Sequence, residues 1–447
     1  MRTMGVPDTE EYRTATSPRE RAWPLGPSLL LFVLGGCMWI FKMRAGSGSE
    51  LLPYSPLQIL IPMLGGFAVL SLLLHSSGMF PKLLVRSGAS ALLVAGIALI
   101  IGGAALHLDG SGTGIEAALY IVRWLMPLFF IATLYVLRAR GVPLLPLVLG
   151  ICAGAVVSAV AVELFRRGFN LPIDQKNNDG RMGGFFSHAN QYGIVTATTA
   201  PVLVVLLFSR RRLLIGLGLA MFGVYLLCLF QSLSKTNILL FLAGVVACLV
   251  VLSLNSARRI LAGLLISLAF MGIAVLGGAA ALNVLQETMP REYKILDEAI
   301  FDPGGVKSLD VREEVWEQAW GYARQHPYLG LGPGVSNDLL IKNHAHNLFL
   351  QMHLDTGIPG VIGITLVVIA ALWRAAQLAR ASRLHAGPIG IDQSLRYTSG
   401  VSMILYLCGN LMSDSFGTAT IPAFVVFAGI AFLADPHPSS NLDQPTL

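Results

Sequence analysis

Charge is what this sequence is short of. Only 13% of its 447 residues are Asp, Glu, Lys or Arg, against roughly a quarter in an ordinary soluble domain. A chain with so few charges and 54% hydrophobic residues cannot cover itself with a water-facing shell. The five cysteines, Cys37, Cys152, Cys228, Cys248 and Cys408, all fall inside apolar runs, which excludes a disulfide framework and a thiolate metal site. HEXXH, D-x-D and Gly-x-Ser-x-Gly patterns are missing, so neither a divalent metal, another cofactor nor a serine-elbow nucleophile is expected. Short alternating segments of a transmembrane barrel are missing as well. The net charge of +6 is spread over both sides of the expected bundle and does not point to nucleic acid.

What the chain has instead is hydrocarbon. Mean hydropathy is +0.68, and runs of about eighteen or more apolar residues recur, each long enough for a helix to cross a bilayer core. They lie near 24–42, 56–75, 88–106, 115–137, 143–165, 187–208, 213–231, 237–254, 260–282, 347–373, 394–411 and 418–434. The expectation is an all-α polytopic membrane protein of about twelve transmembrane helices. Trp23 and Trp39 bracket the first run and Trp373 closes the tenth, as interfacial tryptophans do. No small-residue cleavage site follows the first run, which reads as an uncleaved signal anchor. Lys82, Arg86, Arg138, Arg140, Arg210–Arg212, Arg258, Arg259, and Arg374 through Arg396 fall in alternate turns and place both termini in the cytoplasm. The expected divisions are an inner segment 1–23 and helices one to nine over 24–282 with an outer loop near 166–186. A large outer loop 283–345, helices ten to twelve over 346–434 and an inner tail 435–447 complete them.

The two sizeable outer loops are basic, against the usual bias. The first holds Arg166, Arg167, Lys176 and Arg181; the second holds Arg291, Lys294, Lys307, Arg312, Arg324 and Lys342. Cations gathered there fit a shared anionic ligand. Val311–Gln325 patterns as an amphipathic helix with Val311, Val315, Trp316, Ala319 and Trp320 on its apolar stripe. Then His326–Asn337 is a Gly/Pro-punctuated turn whose Gly330, Gly332 and Gly334 permit close backbone approach. Arg123 lies inside the fourth run, where an ionisable group needs a partner or a wet cavity. Glu116 and Glu163 stand near the outer ends of their runs, and an Arg–Glu pair is the plain expectation. Lys235 sits in a short outer turn, placed for phosphate or to reach lipid head groups.

The stretch HAHNLFLQMHLDTGIPG, His344–Gly360, re-enters the membrane with His344, His346 and Asn347 at the first turn of a helix. A helix N-terminus there attracts anions. A histidine accepts a proton near neutral pH, and arginines hold a departing pyrophosphate through charge-assisted hydrogen bonds. That combination suits metal-free group transfer from a pyrophosphate-linked donor. The alternatives are an interfacial or capping histidine, and for Arg312 a pair with Glu313, Glu314 or Glu317. His353 is expected to pack or make a secondary polar contact.

With R-x-x-x-W (Arg312, Trp316), P-x-L-G-x-G (Pro327–Gly332), S-K-T (Ser234–Thr236) and R-x-G-G-F-F-S-H-A-N (Arg181–Asn190), the H-A-H-N signature resembles that of the O-antigen ligase and O-antigen polymerase superfamily. The resemblance covers most of the chain after Arg166. It implies an inverting C-type glycosyltransferase of the bacterial inner membrane, with a large periplasmic loop between helices 9 and 10 and a periplasmic active site. The implied donor is undecaprenyl-pyrophosphate-linked O-antigen, the acceptor lipid A–core, and membrane lipids surround both. Carried over, His346 is the general base, with His344 its rival. Arg312, Lys235 and Arg181 contact the pyrophosphate, and Asn347, Asn190, Arg123 and Arg291 are further candidates. Lys235 stands where the family has Arg, keeping the charge but losing the bidentate fork. The rival of the same fold is a polymerase. The rival of another class is a twelve-span transporter or flippase, against which count the short loop after the sixth run and the absence of internal repeats.

Overall fold

The computed structural model describes residues 25–40, 43–44, 50–52, 55–75, 87–108, 112–169, 171, 181–186, 188–254, 307–341, 344–385, 389–411 and 420–433. The chain is an all-α membrane protein; a two-strand antiparallel ladder, Met43–Arg44 with Glu50–Leu52, is the exception to helix among the described residues. Helices α1 (Leu25–Cys37), α2 (Pro56–His75), α3 (Gly88–Ala105), α4 (Gly112–Ala139) and α5 (Leu145–Arg166) come first. Next are α6 (Ala189–Thr198), α7 (Ala200–Leu207), α8 (Arg212–Ser232) and α9 (Lys235–Ser253). After a gap in the description follow α10 (Lys307–Gln325), α11 (Ser336–Leu339), α12 (Leu348–Leu384), α13 (Ile391–Leu411) and α14 (Ile421–Phe432). Eight stretches among the described residues are long and apolar enough to cross a membrane, with α6 and α7 together forming one of them. The apolar run at 260–282, the segment 283–306 with Arg291 and Lys294, and Trp23, Lys176 and Lys342 lie outside the described residues.

Several expectations need correction. The run near 187–208 is two helices, because Pro201 opens α7 and cannot donate the backbone hydrogen bond that would continue α6. Trp39 is not interfacial: it is fully buried and meets the Tyr192 and Tyr225 rings at centroid distances of 6.1 and 6.2 Å. Trp373 does not end its helix, which runs on to Leu384; its indole packs over the start of α3, where a side chain on Gly88 would meet it at 2.6 Å. On α10 the buried stripe is Val315, Ala319 and Ala323, with Trp320 outside it and 49% exposed.

The bundle is assembled by close backbone approach, as expected where lipid removes the hydrophobic drive between helices. α3 and α12 touch at Gly96 and Gly363; a Cβ on either would lie 2.6 or 2.7 Å from the other's carbonyl oxygen. α6–α7, 89% buried as one span, and α14, buried throughout, form the interior; α2 and α8 are the most lipid-facing long helices, with 28% and 33% buried. One end of the bundle is fastened by cations: Arg138 pairs with Asp392, and Arg374 and Arg396 donate to the carbonyls of Ala431 and Leu433 at the end of α14, a favourable use of positive charge. The site elements gather at the opposite end.

Candidate active site

The mouth of α12 is built from its N-cap outward. Asn347 has an extended backbone, and its Oδ1 accepts from the Phe349 and Leu350 amides at 3.0 and 3.1 Å. The side chain therefore satisfies the orphan donors of the first turn. Immediately before it, His346 adopts φ +49°, a left-handed conformation uncommon outside glycine. Strain of this sort persists where the surroundings over-determine it and clusters at functional sites. Ala345 on its other side is fully buried and donates its N–H to Gln351 Oε1 at 3.0 Å. His344 and His346 are both half-buried. Against this loop packs α10, through Val315, Ala319 and Ala323 with Ala345, Leu340 and Leu354. Arg312 lies one turn N-terminal to Val315 on that helix face and is half-buried.

Below the mouth α12 breaks. Gly357 has φ +67° and ψ −152°, and Pro359 follows. Backbone groups freed at membrane depth require partners, and the Pro327–Gly334 segment supplies them. The Leu331 N–H donates to the Leu354 carbonyl at 2.6 Å, and the Ile358 N–H to the Pro327 carbonyl at 3.1 Å. His353 Nε2 lies 3.1 Å from the same Pro327 oxygen, and its ring meets Trp320 edge-on, the secondary polar role expected of it. The glycines permit the approach: a Cβ on Gly330 would sit 2.5 Å from the Leu354 oxygen, and one on Gly357 would collide with the Tyr328 carbonyl. The P-x-L-G-x-G and G-I-P-G motifs are thus two halves of one plug. His107, at the end of α3, anchors it from the side through Leu329 O at 2.9 Å.

A second group forms around the α8–α9 turn. Arg181 Nε donates to Ser232 O at 3.0 Å, and its Nη2 to Asn190 Oδ1. Asn237 Nδ2 donates to Asn190 O and to Ser234 Oγ at 3.0 and 2.8 Å. Leu233 closes α8 in the left-handed region, φ +46°, and Lys235, half-buried, is the first residue of α9. Beneath lies Gln231, fully buried, which donates to Glu163 and Ala159 and accepts from the Tyr192 hydroxyl. The structure thus joins Arg181 to Asn190 and both to the turn that carries Lys235. His344, His346 and Asn347 share one loop with α10 packed on it. Both groups occupy the same end of the bundle, and Arg291 lies outside the described residues.

An Arg–Glu pair is present at the end of α5, between Arg166 and Glu163. Glu163 bonds Gln231 at 2.9 Å and Arg166 at 3.5 Å, while Glu116 lies against Gly334 of the plug. Asp355 is only 4% exposed, and its Oδ1 accepts from Gln351 Nε2 at 2.8 Å. Asp355 and Gln351 escaped the sequence reading. The signal was present: an acid inside an apolar helix, one turn beyond a glutamine, is costly unless partnered.

Residues 220–365 match the family model described as O-antigen ligase. Over that stretch the chain is similar to the O-antigen ligase superfamily. The matched stretch takes in the α8–α9 turn with Lys235, α10 with Arg312, the plug and the mouth of α12 with His346. With the apolar helices it supports an O-antigen ligase- or polymerase-type function in a multi-pass membrane protein. No curated protein matches the chain.

Proposed function

We propose that the protein is an O-antigen ligase, transferring polysaccharide from undecaprenyl pyrophosphate to a sugar hydroxyl of lipid A–core at the periplasmic face of the inner membrane. The acceptor oxygen attacks the anomeric carbon of the donor, the bond from that carbon to the pyrophosphate oxygen breaks, and undecaprenyl pyrophosphate departs. His346 takes the hydroxyl proton. Arg312, Arg181 and Lys235 hold the departing charge, and the anomeric configuration inverts because one displacement occurs. What carries the reading is His346 held in a left-handed turn at the mouth of α12, at the bundle end that also gathers Arg181 and Lys235.

The deciding experiment incubates purified protein with lipid-linked O-antigen and lipid A–core. Product on lipid A–core is the expected result. Longer chains on the lipid carrier would replace this reading with the polymerase. Translocation of the lipid-linked donor with no covalent product, at a rate unaffected by His346→Ala, would replace it with a transporter.

A further inference from the structure

We propose that Gln351 and Asp355 are positioning residues that set the place of His346, a role that rests on the function proposed above. Gln351 touches three elements. Its Oε1 accepts from the buried Ala345 N–H at 3.0 Å, and its Nε2 donates to Ser336 Oγ on α11 and to Asp355 Oδ1, at 2.9 and 2.8 Å. The amide therefore has a required orientation. Turned over, it would aim its oxygen at Asp355 and its NH₂ at the Ala345 N–H, losing two hydrogen bonds and leaving two donors face to face, while the Ser336 hydroxyl can serve either orientation. Asp355, four residues further along the helix and on the same face, selects the productive orientation because its oxygen takes an N–H and repels a carbonyl. Tyr120, whose hydroxyl lies 3.2 Å from Met352 Sδ, walls the carboxyl on the side of α4.

The consequence falls on His346. It is fixed between Asn347, which caps α12, and Ala345, whose amide is fixed by Gln351. Its φ of +49° is sustained by those two clamps, one on each side. Release of the Ala345 clamp lets the residue relax toward ordinary dihedrals and carries the imidazole away from the acceptor. A displacement of about 1 Å at a catalytic group costs on the order of a hundredfold in rate.

The test uses the full-length protein in lipid nanodiscs with two readouts. The first is transfer kinetics with lipid-linked O-antigen and lipid A–core; the second is the rate at which diethyl pyrocarbonate modifies His346, followed by peptide mass spectrometry with exposed His326 as internal reference. Gln351→Met, near in size, removes both the acceptor for the Ala345 N–H and the donor to Asp355. Its kcat is expected to fall at least about tenfold with KM within about twofold, and its His346 modification rate to change severalfold while that of His326 holds. The double variant Gln351→Glu with Asp355→Asn lets the new amide donate to the new carboxylate, which still accepts from Ala345. Both readouts are expected to return toward wild type. Gln351→Leu, also without an acceptor, serves if the methionine variant does not fold. An unchanged His346 modification rate in the folded single variant, or no recovery in the double variant, overturns the proposal. Wild-type protein with no transfer overturns the function proposed above and leaves the footprinting comparison to judge the clamp alone.

Discussion

Among the described residues, the two that are not glycine and adopt positive φ are Leu233 and His346. Each immediately precedes a residue that sets a helix start, Ser234 before Lys235 and Asn347 before Leu348. Backbone strain is thus spent at the two places where the proposed cation and the proposed base are presented. His346→Ala removes the proton acceptor while leaving a residue that tolerates this turn about as poorly as histidine does. Transfer is expected to drop by about 10²–10⁴-fold with the melting temperature unchanged; full activity would move the role to His344. For Arg312, a bidentate phosphate contact predicts that Arg312→Ala is severe and Arg312→Lys only partly active. An Arg312→Lys protein as fast as wild type would refute the bidentate contact. At Lys235 the converse holds, and Lys235→Arg should retain transfer where Lys235→Ala loses it. Among the described residues no three His, Cys, Asp or Glu side chains are grouped to hold a metal. In the mechanism proposed above, cations of the chain itself carry the departing charge, so excess chelator should leave the rate unchanged; a loss restored by a divalent ion would contradict this.

At the scale of elements, α12 and the Pro327–Gly334 plug have to be understood together. Gly357 and Gly330 lie in the left-handed region with carbonyls of the opposite segment pressed against them. Gly357→Ala adds about 1–3 kcal/mol of backbone strain, in a region essentially reserved for glycine, to a collision with Tyr328 O. A marked fall in melting temperature is expected, read by intrinsic fluorescence, together with loss of transfer; a variant as stable as wild type would mean that the two segments do not depend on each other. Much of this was legible beforehand. Hydropathy located the long helices, the H-A-H-N and S-K-T signatures fall at helix starts, and R-x-x-x-W falls within α10. What one-dimensional pattern could not provide was the pairing of distant motifs. P-x-L-G-x-G and G-I-P-G each look like a turn, and only their backbone hydrogen bonds show a broken helix and its plug. The same limit hid the Ala345–Gln351–Asp355 chain of hydrogen bonds, which only the folded turn ahead of α12 brings together. Trp39 misled for a related reason, because an aromatic at the end of an apolar run has the same signature at a lipid interface and inside a ring cluster.

The whole molecule separates its charge by end. Arg138, Arg374 and Arg396 fasten the end where α4, α12 and α14 finish and α13 starts. Arg181, Lys235 and the loop of His346 occupy the other. The positive-inside rule, which governs short connections next to membrane helices, expects the first set in the cytoplasm; in the orientation proposed above the second departs from it. If the departure is functional, the basic site end faces the periplasm despite its charge. Cysteine labelling in spheroplasts tests this directly. In a background with the five native cysteines replaced, Phe169→Cys, at an exposed position after α5, reports the site end, and Arg140→Cys, exposed after α4, reports the opposite one. A membrane-impermeant maleimide is expected to label position 169 in intact spheroplasts and position 140 only after lysis. The reverse pattern would put the proposed base and its cations in the cytoplasm. A donor whose polysaccharide is presented on the outer leaflet would then be out of reach, and the ligase reading would fail however well the individual side chains behaved.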